Sequence, residues 1–125
     1  MYMADGYARA GRRVGVAYRQ AGPGAANVAA ALADAVWAQS PVMALTGATA
    51  TNAVYATEYQ AFDQHAMFSP VTKWNGAAQD AGQVARLVRH AVQIAIAGTA
   101  GPTHIEYQKI SSANQQPRLV MCVHR

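Results

Sequence analysis

The chain has 125 residues, 52% of them hydrophobic and 13% charged, with a formal net charge of +4. That length holds one domain at most, and so low a charged fraction in so apolar a chain excludes disorder over most of it. Apolar stretches are broken by Gly, Gln, Asn or Asp long before the roughly 18 residues a membrane span requires, and no signal-peptide layout opens the sequence, so a cytoplasmic location without a membrane partner is expected.

The first ten residues carry Met3, Tyr7 and Ala10 at helical spacing and run into Gly11, which predicts a helix from the outset. Residues 12–19 contain the apolar run Val14, Val16, Ala17 and Tyr18, expected of a strand covered on both faces. Gly22-Pro23-Gly24 then turns the chain into an Ala-rich helix over residues 25–37, with Val28, Leu32 and Val36 on one face. Residues 41–46 read as a second buried strand closed by Gly47. Residues 48–62 are irregular and polar, a loop length more often functional than idle, and are expected to border a site.

Residues 70–74 read as a short strand and residues 80–97 as a helix, with Val84, Leu87, Val88, Ala91 and Ala95 on one stripe and Arg86, Arg89 and Gln93 off it. Residues 103–107 alternate, Ile105 and Tyr107 against His104 and Glu106, as in a last strand exposed on one face. From Ser111 the composition turns to Ser, Asn, Gln and Pro, giving a partial domain over residues 1–110 and a linker or tail over 111–125. Strands alternating with helices predict an α/β fold: a three-layer sandwich with a mainly parallel sheet flanked by helices. The chain opens inside a helix, so the expected fold is truncated at its N-terminus.

Ten Lys and Arg residues give a pI of 9.6 but are scattered, so no nucleic-acid partner is expected. His65, His90, His104 and His124 share no ligand spacing with one another or with the lone Cys122, so no metal site is expected and the histidines read as packing or surface residues. Walker, nucleophile-elbow and dinucleotide patterns are absent. The turn at Gly22-Pro23-Gly24 follows a strand, which is where open α/β sheets place ligands, although a plain strand-to-helix turn has the same sequence.

Five blocks in order, Met3-Ala4-Asp5-Gly6-Tyr7-Ala8-Arg9, Ala21-Gly22-Pro23-Gly24-Ala25-Ala26-Asn27, Tyr59-Gln60-Ala61-Phe62-Asp63, Thr72-Lys73-Trp74-Asn75 and Gly98-Thr99-Ala100-Gly101-Pro102, resemble the N-terminal, pyrimidine-binding domain of thiamine diphosphate-dependent enzymes of the acetolactate synthase-like branch. The resemblance implies thiamine diphosphate as cofactor, with Mg²⁺ and the diphosphate held by a domain absent from this sequence, and a small 2-oxo acid as substrate of the full enzyme. It also implies a homo- or hetero-oligomeric partner carrying the diphosphate-binding domain. Pro23 resembles the proline that packs on the pyrimidine ring, Asn27 the asparagine near the aminopyrimidine, and Gln60 the glutamine of a Phe-Gln-Glu block bordering substrate and cofactor.

The family's glutamate for pyrimidine N1′ falls about one helical turn before Met1. Asp5 is not its counterpart and is expected as a helix-surface or C-terminal-half acid, no catalytic residue is assigned, and the chain is expected to be inactive alone. Arg19-Gln20-Ala21 departs from the family's hydroxyl-rich lead-in to the turn, Ala61 stands where Glu is frequent, and Gln108 stands where a proline ends the last strand. The alternative function is a non-catalytic binding or interaction module, either a degenerate paralogue or a small subunit docking on a partner.

Overall fold

A computed structural model describes residues 1–48 and 60–108. Helix α1 spans Tyr2–Gly11, strand β1 Gly15–Arg19, α2 Pro23–Trp37, β2 Val42–Ala48, α3 Gln64–Phe68, β3 Trp74–Ala78, α4 Ala81–Ile96 and β4 Thr103–Gln108, with a 3₁₀ turn at Ser69–Val71. The four strands form one sheet in the order β1-β2-β4-β3, and every neighbouring pair is parallel. Parallel neighbours require crossovers, and α2 and α4 provide them.

Alternation along β2 divides the core. Val42 and Ala44 face a cluster built from α2 (Ala25, Val28, Leu32, Ala35), Ala8 of α1 and Phe68 of α3. Met43 faces the other way, joining Ile105, Ala91 and the half-buried Leu87, Val88 and Val92 of α4. Helices therefore cover both faces, giving the α/β layering expected from the sequence. The alanines of α2 allow close approach to the sheet, and Asp80 caps α4 by accepting from the Gln83 amide.

Lys73 closes the other end of α4. Its ammonium donates to the carbonyls of Ile94, Ala97 and Thr99, each at 2.7 Å, which satisfies acceptors that a helix C-terminus leaves unpaired. Gly101 makes room for this arm, since a Cβ there would lie 2.8 Å from Lys73 Cδ. Two of the blocks noted in the sequence, those around Lys73 and Gly101, thus meet in one capping structure.

Several expectations are corrected. The third strand begins at Trp74 instead of residue 70, because Pro70 lies in the 3₁₀ turn and has no N–H to give to a ladder. Strand β4 is central, between β2 and β3, so His104 is buried where an exposed face was expected. Strand β1 is at the edge of the described sheet, and its Val16 and Tyr18 are 51% and 65% exposed, not covered. The left-handed residue after α1 is Arg12 (φ 49°), with Gly11 still helical. Helix α2 starts two residues early, at Pro23, and the short helix α3 was not foreseen.

Asp5 is likewise neither a surface acid nor in the C-terminal half of its helix, since it lies in the first turn of α1. It is buried, and Arg9 Nε donates to its Oδ1 at 3.1 Å and to Ser40 Oγ at 3.0 Å, while Arg9 Nη2 lies 2.6 Å from Asp5 Oδ2. Burial pushes the Asp5 carboxyl up, but its bonds to Ser40 and Arg9 outweigh that and hold it below the usual carboxylate range. This cluster ties α1 to the segment entering β2.

Candidate functional site

In a parallel sheet the strand carboxyl ends and the helix N-termini that follow them share one side, and their loops form a crevice. Here β1 ends at Arg19, and residues 20–22 lead into α2. Gly22 has φ 69° and ψ −124°, a mirror-image β conformation open only to glycine. Pro23 occupies the first turn of α2, where its missing N–H costs no hydrogen bond, and the Ala26 amide donates to Gly22 O at 3.1 Å.

Pro23 and Asn27 are four residues apart on α2, hence on one helix face, and both are exposed. Gln60 is half-buried. Its Cβ and Cγ lie 2.7 and 2.8 Å from where a Gly22 Cβ would stand, so it packs directly on the turn. Its Oε1 accepts from Gln20 Nε2 at 3.1 Å. The three residues singled out in the sequence are thus gathered around the Gly22 turn, Pro23 and Asn27 through the helix and Gln60 by contact. The expected site-bordering loop lies largely at residues 49–59, outside the described residues, as does the expected tail at 111–125.

Beneath the crevice is a polar group that sequence reasoning missed. Thr46 Oγ1 lies 2.6 Å from Gln64 Oε1 and 2.8 Å from His104 Nε2, and Gln64 Nε2 donates to Gly47 O at 2.7 Å. All three side chains are buried. That last bond fixes the Gln64 amide with its oxygen toward Thr46, so the single Thr46 hydroxyl proton goes to Gln64. His104 must then be the Nε2–H tautomer, donating to Thr46, and its Nδ1 is buried with no partner among the described residues.

The His104 ring stacks on Phe68 at 3.7 Å with 16° between planes. Burial, assisted by the charge of His65, pulls its pKa down to about 3, so it is neutral near pH 7. Glu106, two residues on and opposite Thr46 in the ladder, is pushed up by burial and by Asp63, against a smaller opposing effect of His65. The available signal was the register: once β4 is placed centrally, His104 must lie under α3, but the alternation of residues 103–107 reads equally well as a half-exposed strand.

Among the described residues no three His, Cys, Asp or Glu side chains come together, and no helix is long and apolar enough to cross a membrane. A second depression, about 410 Å³ and lined by Arg12, Gln39, Ser40 and Pro41 among others, lies at the opposite, amino end of the strands, away from the crevice.

A parallel α/β sheet with a glycine-proline turn feeding a helix at its carboxyl edge defines a ligand-binding α/β domain. Residues 1–67 match the family model described as "Thiamine pyrophosphate enzyme, N-terminal TPP binding domain", and the chain belongs to that family. It is 39% identical over 108 residues to a probable acetolactate synthase large subunit of Methanococcus aeolicus, covering 86% of this chain and 18% of that protein. It is 36% identical over 107 residues to 2-hydroxyacyl-CoA lyase 2 of Danio rerio, covering 86% and 17%. The chain therefore spans under a fifth of the length of these relatives. Among solved structures, the thiamine diphosphate-dependent 4-hydroxybenzoylformate decarboxylase of Rhodococcus jostii RHA1 superposes with a TM-score of 0.78 at 23% identity, over 85% of this chain and 20% of that one, which establishes the shared fold.

Proposed function

We propose that this domain forms the pyrimidine side of a thiamine diphosphate site in an acetolactate synthase-like carboligase or decarboxylase of small 2-oxo acids. The observation that carries the reading is that Gln60 packs on the Gly22 turn, from which Pro23 and, one helical turn on, Asn27 open α2. When bound, the cofactor supplies an electron sink at which a C–C bond next to a carbonyl is broken or made. Pro23 offers a rigid apolar face to an aromatic ring, and Asn27, on the same side of α2, offers an amide that donates and accepts. Gln60 borders the same crevice with a second amide.

This donor set is uncharged, which suits the neutral aminopyrimidine and not the diphosphate. The diphosphate and Mg²⁺ belong in this reading to another domain, of the same or a neighbouring subunit, and the chain by itself is inactive. A cytoplasmic location is part of the same reading.

Titration of the chain with thiamine diphosphate, followed by backbone amide resonances, tests it. Shifts are expected at residues 22–27 and at Gln60. Shifts absent at millimolar ligand, or confined to the opposite end of the strands, overturn the site. Acetolactate formed from pyruvate by the pure chain with thiamine diphosphate and Mg²⁺ overturns the dependence on a second domain.

A further inference from the structure

We infer that Gln20 is a positioning residue for Gln60, holding its side-chain amide at the turn. The inference rests on the proposed reading of the crevice. Gln60 has φ 71°, a left-handed conformation that an ordinary L-residue adopts only when its surroundings impose it. Two surroundings are visible, and both come from the lead-in to α2. Gly22, lacking a Cβ, opens the space that Gln60 Cβ and Cγ fill. Gln20 Nε2, forty residues away in sequence, donates to Gln60 Oε1 at 3.1 Å. The stem is held by one residue of the turn and the head by another.

One end of the Gln60 amide is engaged by Gln20, and among the described residues the other end is left to face a ligand. An amide held there suits the polar atoms of a small ligand: the keto or carboxylate oxygen of a 2-oxo acid, or the ring nitrogen and amino group of an aminopyrimidine.

The test compares the parent chain with Gln20→Ala and Gln20→Glu by NMR. In the parent, nuclear Overhauser contacts are expected from Gln60 Hβ and Hγ to Gly22 Hα, and added thiamine diphosphate with pyruvate shifts the Gln60 side-chain amide. In Gln20→Ala those contacts and that shift are lost and apparent affinity falls about 3- to 10-fold, the effect of one hydrogen bond, while residues 22–27 still respond. Gln20→Glu keeps an acceptor for the Gln60 amide, so it restores the contacts and most of the lost affinity. Contacts and shift unchanged in Gln20→Ala overturn the inference, as does failure of Gln20→Glu to restore them. Ligands that move nothing at residues 22–27 of the parent overturn the site reading instead, and the Gly22 contacts alone then decide whether Gln20 holds Gln60.

Discussion

Replacing Gly22 by alanine separates two costs that the turn avoids. The first is conformational: at φ 69° and ψ −124° an L-residue is strained by about 1–3 kcal/mol. The second is steric, because the new Cβ would stand 2.7 and 2.8 Å from Gln60 Cβ and Cγ and 3.2 Å from its Cα. Forced repacking of that kind costs a further ~1–3 kcal/mol. The sum, about 2–6 kcal/mol, is a large share of the 5–15 kcal/mol that holds a typical domain together.

Gly98 supplies the control. It has φ 58°, and nothing lies within 4 Å of where its Cβ would be, so Gly98→Ala has the backbone cost alone, about 1–2 kcal/mol. Urea unfolding of both variants, with unchanged m-values, should place Gly22→Ala at least ~1 kcal/mol below Gly98→Ala. Adding Gln60→Gly to Gly22→Ala removes the opposing Cβ and Cγ and should recover the steric part, a non-additivity of ~1–3 kcal/mol. Equal destabilisation of the two single variants, or strict additivity in the double one, refutes the packing of Gln60 on the turn.

Two further outcomes follow from the buried polar groups and the helix cap. His104 is neutral in the fold with its pKa pulled down to about 3, against 6.5 when unfolded, so the unfolded chain binds the extra proton and stability falls as pH drops below ~6.5, by at most ~1.4 kcal/mol per pH unit. His104→Leu should be less stable near neutrality, leaving the Thr46 oxygen without its donor, yet lose less between pH 6.5 and 5 in chemical unfolding; parallel pH profiles would contradict the buried neutral imidazole. Lys73→Met removes three donors from the end of α4 and should cost ~1–2 kcal/mol, with faster amide hydrogen exchange in the last turn of α4; uniform exchange rates there would show that the cap does not matter.

The sequence by itself determined the alternation of strands and helices, and with it a parallel α/β sheet, because apolar periodicity and Gly/Pro punctuation are local signals. It also determined the Gly22-Pro23-Gly24 turn, whose residue types admit few backbone conformations, and the five ordered blocks that carry the family resemblance. Strand order was beyond it. Whether residues 103–107 lie at an edge or between two strands depends on partners far along the chain, and only the tertiary structure placed β4 centrally and so buried His104 against Phe68. The same holds for Asp5, whose neighbours Arg9 and Ser40 come from one helix turn and from 35 residues away. It holds for Gln60 too. Sequence marked it as a candidate, but its seat against Gly22 and its bond to Gln20 exist only because the fold closes a forty-residue gap, and no local pattern encodes a contact of that length.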